Sequence, residues 1–263
     1  MKVKIQFNLP ILIYFAHLET NLEGIKDMTI QGLDYEFDII DRPNFSYLKI
    51  LLKTGQEIKC ERGTMMFFEP TLEITTKKAE KGFLKSVKRT LAGETFLLNY
   101  FHANSNGWVA LAPSFAGDLM HLPVERGHPW VVFSGGYIAS SPHLQQETRF
   151  QGIKKGLFSG ERSFILTISA LEAPGDLFIG GNGAFIEWNL QPGQILNCDN
   201  GHLVAMESSV QFDIKRVGNW KSTMLSGEGV IAQMVGPGRV IMQSRNPKEF
   251  AMSLYKMMPH PSN

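Results

Sequence analysis

The sequence predicts an all-β protein in which one β-sandwich or short jelly-roll module is used three times, followed by a short C-terminal helix. Three observations carry this. A short phrase returns at equal intervals as Leu91-Ala92-Gly93-Glu94, Phe158-Ser159-Gly160-Glu161 and Leu225-Ser226-Gly227-Glu228, with successive glycines 67 positions apart. A second phrase, glycine then seven residues then glycine, interleaves with it, running from Gly55 to Gly63, Gly127 to Gly135 and Gly193 to Gly201. Between these lie short runs rich in β-branched and aromatic residues, bounded by Gly, Pro and Asn, at the spacing of about 8–12 residues typical of sandwiches and barrels. Two phrases in fixed order, three times over, mark a repeated unit. A unit of this size is marginal as an independent core, so the modules should pack on one another in a pseudo-threefold arrangement.

Taken in order, residues 1–27 form an N-terminal extension whose apolar stretch, Leu9 to Ala16, holds Pro10 and precedes no clean cleavage site. The body, 28–245, divides at about 46–114, 115–181 and 182–245. Strands are expected at Tyr47–Leu52, Thr95–Phe101, Ser163–Ile168 and Val230–Val235. Gly63, Gly135 and Gly201 should close hairpins in a backbone conformation that a Cβ disfavours. Pro192-Gly193 and Pro237-Gly238 read as turns, as do Ala116-Gly117-Asp118, Pro174-Gly175-Asp176 and the run Gly180-Gly181-Asn182-Gly183. Helical spacing occurs in two places. One is Ala79 to Arg89. The other lies in the tail 246–263, where Phe250, Leu254 and Met257 share a side over Pro247–Met258 and should pack against the third module.

An apolar content of 43% makes the chain globular rather than disordered. With 26 basic and 25 acidic residues, it has no global drive toward nucleic acid or membrane. No apolar run is long enough for a transmembrane helix. Cys60 and Cys198 occupy the same place in their modules, where the second has Val132. A site shared by Cys, Val and Cys is a buried core position, so no disulfide is expected, and the compartment reads as reducing and cytoplasmic.

No motif of catalysis or metal binding emerges: no HExxH, no GxSxG and no phosphate loop, and no cofactor is expected. Glu94, Glu161 and Glu228 fit two readings, three carboxylates converging on an axis or three residues opening strands at a shared turn. Lys77, Lys78, Lys81, Lys85, Lys88 and Arg89 form a basic segment, either a solvated face or a surface for phosphates, nucleic acid or anionic lipid.

Several of these segments resemble a known family. Gly55-Gln-Glu-Ile-Lys-Cys-Glu-Arg-Gly-Thr-Met-Met is similar to its opening motif, and Lys88-Arg89-Thr-Leu-Ala-Gly93-Glu94 to its arginine–Gly-Glu segment. Gly201-His202-Leu203-Val204-Ala205-Met-Glu207 resembles its Gly-His-Leu-Val-Ala-Phe-Glu block. Gly227-Glu228-Gly229, Gly236-Pro237-Gly238 and Gln243-Ser-Arg245 resemble its closing signature. The family is that of altered inheritance of mitochondria protein 24, whose members resemble the tryptophan RNA-binding attenuation protein in fold. The resemblance implies three β modules per chain and a homotrimer, and no particular activity. The expected function is therefore a non-catalytic oligomeric binding or scaffold protein. A nucleic-acid-binding regulator using the basic surface is the alternative.

Overall fold

A computed structural model describes residues 29–78, 97–149, 165–215 and 231–258. It opens with a small hairpin, β1 (Ile30–Gln31) and β2 (Glu36–Ile40). Three successive sets of six strands follow. The first holds β3 (Tyr47–Leu52), β4 (Glu57–Glu61), β5 (Met65–Phe68), β6 (Leu72–Lys78), β7 (Leu97–Ala103) and β8 (Gly107–Leu111). The second holds β9 (Gly117–Val124), β10 (Trp130–Phe133), β11 (Tyr137–Ser140), β12 (Gln145–Arg149), β13 (Ile165–Ser169) and β14 (Gly175–Asn182). The third holds β15 (Phe185–Leu190), β16 (Ile195–Asp199), β17 (Leu203–Glu207), β18 (Gln211–Lys215), β19 (Ile231–Val235) and β20 (Gly238–Gln243), with a 3-10 turn at Asn200–His202.

The same antiparallel pairings occur in each set. The first strand pairs with the sixth, the second with the fifth, the third with the sixth and the fourth with the fifth. The third strands also share an irregularity, a register shift between Met65 and Phe67, Tyr137 and Ala139, and Leu203 and Ala205. Such bulges bend a strand and increase its twist.

Sheets form across the sets. β4 pairs with β11, and β10 with β17. The strand orders are therefore β1-β2-β3-β8-β5, then β6-β7-β4-β11-β14-β9, then β12-β13-β10-β17-β20-β15, and finally β16-β19-β18. A ring of three sets closed within one chain would also need β16 beside β5, and those strands stand at the edges of separate sheets.

Alternating side chains build the cores between successive sheets. In β3, Leu48, Ile50 and Leu52 are fully buried and meet Ile58, Cys60 and Phe101 of the second sheet. Tyr137, Leu177 and Ile179 of the second sheet meet Trp130, Val132 and Ile241 of the third. Leu190, Met206 and Val240 of the third meet Ala232 and Met234 of the fourth. Each large apolar side chain so buried stabilises the fold by about 1.5–3 kcal/mol.

The structure corrects several local expectations. Gly63 (φ +87°) and Gly135 (φ +84°) take the left-handed conformation, but Gly201 does not; it lies in the 3-10 turn. What constrains Gly201 is proximity, since a Cβ there would stand 2.3 Å from Asn246 Nδ2. Cys60 and Val132 are fully buried, whereas Cys198 is only half-buried on the edge strand β16; both thiols are free. Gly117-Asp118, Gly175-Asp176 and Gly180 to Asn182 lie within strands rather than turns. The C-terminal helix, α1 (Pro247–Met257), forms, but Phe250, Leu254 and Met257 are 53%, 46% and 77% exposed, so its apolar side does not pack on this chain. The helical reading of 79–89 lies outside the described residues.

Candidate functional site

Where successive sets meet, their hairpins enclose a cavity of about 200 Å³. The β4–β5 turn supplies Glu61, Arg62 and Thr64, and the β10–β11 turn supplies Gly135 and Gly136. β14 adds Gly180, Gly181 and Asn182 to the wall. The wall is thin because glycine lets backbone approach: a Cβ on Gly181 would meet the Phe185 ring at 2.5 Å, and one on Gly180 would meet Ile138 at 2.9 Å.

The polar groups of this cleft are fixed by cross-set hydrogen bonds. Gln243, at 7% exposure, accepts from Asn182 N–H at 2.8 Å through Oε1 and donates to Gly201 carbonyl at 2.8 Å through Nε2. Its own carbonyl lies 2.7 Å from His202 Nδ1. Thr64 hydroxyl donates to Glu61 carbonyl at 2.8 Å and holds the first turn closed. Burial pushes the Glu61 carboxyl up from 4.5 to about 7, so this group changes charge near neutral pH. The cleft lining thus offers a proton-dependent acceptor, the Arg62 side chain and backbone polar groups.

Two buried aspartates fasten the segment from Leu33 to Ser46 to the second set. Asp176 accepts from the backbone N–H groups of Leu33 (2.9 Å), Asp34 (2.7 Å) and Tyr35 (3.2 Å), and His121 Nε2 lies 2.7 Å from it. Asp118 takes both Arg42 Nε (2.9 Å) and a terminal Arg42 nitrogen (2.8 Å), and also the Ser46 hydroxyl (2.9 Å). Burial raises both carboxyls. The His121 and backbone donors, and in the second case Arg42, outweigh it and hold them below their usual value.

The residues singled out by sequence fall differently. Gly135 lines the cleft, Gly63 shapes the turn beside it, and Gly201 faces Gln243 through its carbonyl. Lys77 lies on strand β6, 3.6 Å from Glu57 and 4.3 Å over the Tyr100 ring, an anchored surface residue. Lys78 ends that strand. Lys81, Lys85, Lys88, Arg89, Gly93, Glu94, Gly160, Glu161, Gly227 and Glu228 lie outside the described residues. Glu61 was missed, although a signal existed. Its counterparts are Phe133 in the second set and Asp199 in the third, so an acidic residue just before the turn recurs in two of the three copies.

Four antiparallel sheets, two of them formed across successive strand sets through β4–β11 and β10–β17, define a mostly β protein with one short C-terminal helix. The chain matches the family model described as Mitochondrial biogenesis AIM24 over residues 37–245, and it belongs to that family. An uncharacterised protein of Streptococcus pyogenes serotype M6 is 27% identical over 232 residues, which is 85% of this chain and 92% of that protein. The X-ray crystal structure of a Streptococcus pyogenes protein matches with a TM-score of 0.70 at 23% identity, covering 85% of this chain and all of that one. That likeness is one of fold.

Proposed function

We propose that the chain is a non-catalytic binding or scaffold subunit of a homotrimer, built from three copies of one module. The observation that carries this is exposed apolar surface. Met65, Met66 and Phe67 of β5 are 40%, 51% and 48% exposed, and Phe250, Leu254 and Met257 of α1 add a second apolar face. Contiguous apolar surface of this kind marks an interaction site. The matching pairings of the three strand sets support the repeat, and the threefold axis then belongs to the assembly.

Binding rather than catalysis fits the cleft, whose lining combines the Glu61 carboxyl, raised by burial to about 7, with Arg62 and a wall of backbone. Burial pushes the thiols of Cys60 and Cys198 up to about 12, so neither is a preformed thiolate at neutral pH, although each can still be oxidised by an exposed partner thiol and an oxidant. The two free thiols suit a reducing compartment such as the cytoplasm. Among the described residues, no helix is long and apolar enough to cross a membrane.

Native mass spectrometry of the purified full chain tests this reading. A trimer mass is expected, together with any small molecule retained in the cleft. A monomer mass at micromolar concentration overturns the assembly. Salt-dependent RNA binding would move the function to the nucleic-acid alternative.

A further inference from the structure

The second and third sheets are built alike. In each, the fourth, fifth and second strands of one set lie beside the third, sixth and first strands of the next. The first and fourth sheets are the two halves of that same order. β3, β8 and β5 wait for a second strand on the outer edge of β5, and β16, β19 and β18 wait for a third strand on the outer edge of β16. We propose that β16 of one copy pairs antiparallel with β5 of the next, head to tail, completing the six-strand order β18-β19-β16-β5-β8-β3 across the subunit boundary, within an eight-stranded sheet that β2 and β1 extend beyond β3. The inference rests on the homo-oligomer proposed above and identifies the strands that make it.

Burial agrees. β11 and β17, the third strands that have their neighbour, are buried along almost their whole length. β5 carries the equally apolar sequence Met-Met-Phe-Phe and leaves three of its four residues exposed. Among the second strands, β4 and β10 are mostly buried, while β16 exposes Ile195 at 57% and leaves Cys198 half-covered. An apolar strand edge left open is costly and prone to pairing. The second copy is the partner that these edges fit, because the chain already makes this junction twice with its own sequence.

The register follows from the two internal junctions. Cys60 stands opposite Ala139, and Val132 opposite Ala205. Lys59 stands opposite Ser140, and Val131 opposite Met206. Carried to the open edges, the same register sets Cys198 opposite Phe67 and Asn197 opposite Phe68. The interface is heterologous, so it closes into a ring when the rotation per chain permits, and three chains give the expected trimer.

A cross-link reads the register directly. In the full-length chain, Phe67→Cys combined with Cys60→Ser leaves one cysteine on each edge. Mild oxidation should then give covalent dimers and trimers on non-reducing gels, and Cys198→Ser should abolish them. Separately, Phe67→Lys should lower the native mass threefold, from trimer to monomer, with the β circular dichroism unchanged. A trimeric wild type that neither cross-links nor dissociates with Phe67→Lys places the interface elsewhere and overturns the pairing while leaving the oligomer standing. A disulfide formed within a single chain overturns it in favour of internal closure. A monomeric wild type overturns both.

Discussion

Glu61 shows how one half-buried carboxyl sets a pH response. Its folded value, about 7, lies above the ordinary 4.5, so between these limits the folded state holds a proton that the unfolded chain has released. Stability from this group is full below about 4.5 and falls as pH rises toward 7. Glu61→Gln should therefore raise the melting temperature at pH 8 and flatten its decline between pH 5 and 7, as read by thermal denaturation across pH. The glycines divide by cause. Gly135→Val should cost about 1–3 kcal/mol through backbone strain alone, because nothing lies within 4 Å of its Cβ position. Gly201→Val should also destabilise, but by driving Asn246 aside. A double-mutant cycle with Asn246→Ala separates them: coupling is expected for Gly201 and none for Gly135. The spacing of the glycines was legible in the sequence. Their conformations were not, because the intrusion of Asn246 into the third turn is a contact between residues 45 positions apart.

At the level of elements, α1 is fixed at its start. Asn246 accepts from Lys248 N–H at 3.0 Å, and its amide lies 3.3 Å from Asp199 Oδ1, tying the helix to the turn after β16. Asn246→Ala should cost about 1 kcal/mol in denaturant unfolding and loosen the helix. The helix was readable from its period; its failure to pack was not, since periodicity reports which side is apolar and not what covers it. The strands show the same limit. Tyr47–Leu52 forms a strand as its apolar run ahead of the Lys53-Thr54-Gly55 turn predicts. Gly117-Asp118 and Gly175-Asp176 read as turns because their composition is that of turns. Yet each glycine opens a strand whose aspartate is buried by donors from distant sequence, Arg42 in one case and Leu33 to Tyr35 in the other. Local chemistry cannot announce a partner so far along the chain, so these two clamps were the part of the molecule least visible beforehand.

Across the whole molecule, Asp176 joins the first β hairpin to the second strand set. Asp176→Ala would leave up to three backbone N–H groups without an acceptor, a loss of about 3 kcal/mol. The expected readout is a lower melting temperature and faster proteolysis between β1 and β2. Because its folded value is depressed, Asp176 contributes stability at neutral pH that disappears as pH falls below the ordinary 3.8. Wild type should lose stability steeply in that acid range, and Asp176→Asn should lose less. The clamp spans 143 residues between Leu33 and its acceptor. During synthesis at about 5–20 residues per second, the amino-terminal hairpin is exposed roughly 7–30 seconds before residue 176 is even polymerised. The strand β2 can pair with β3, and Asp118 can take Arg42, before residue 176 exists, so the Leu33–Tyr35 turn is the last part of this hairpin to be secured.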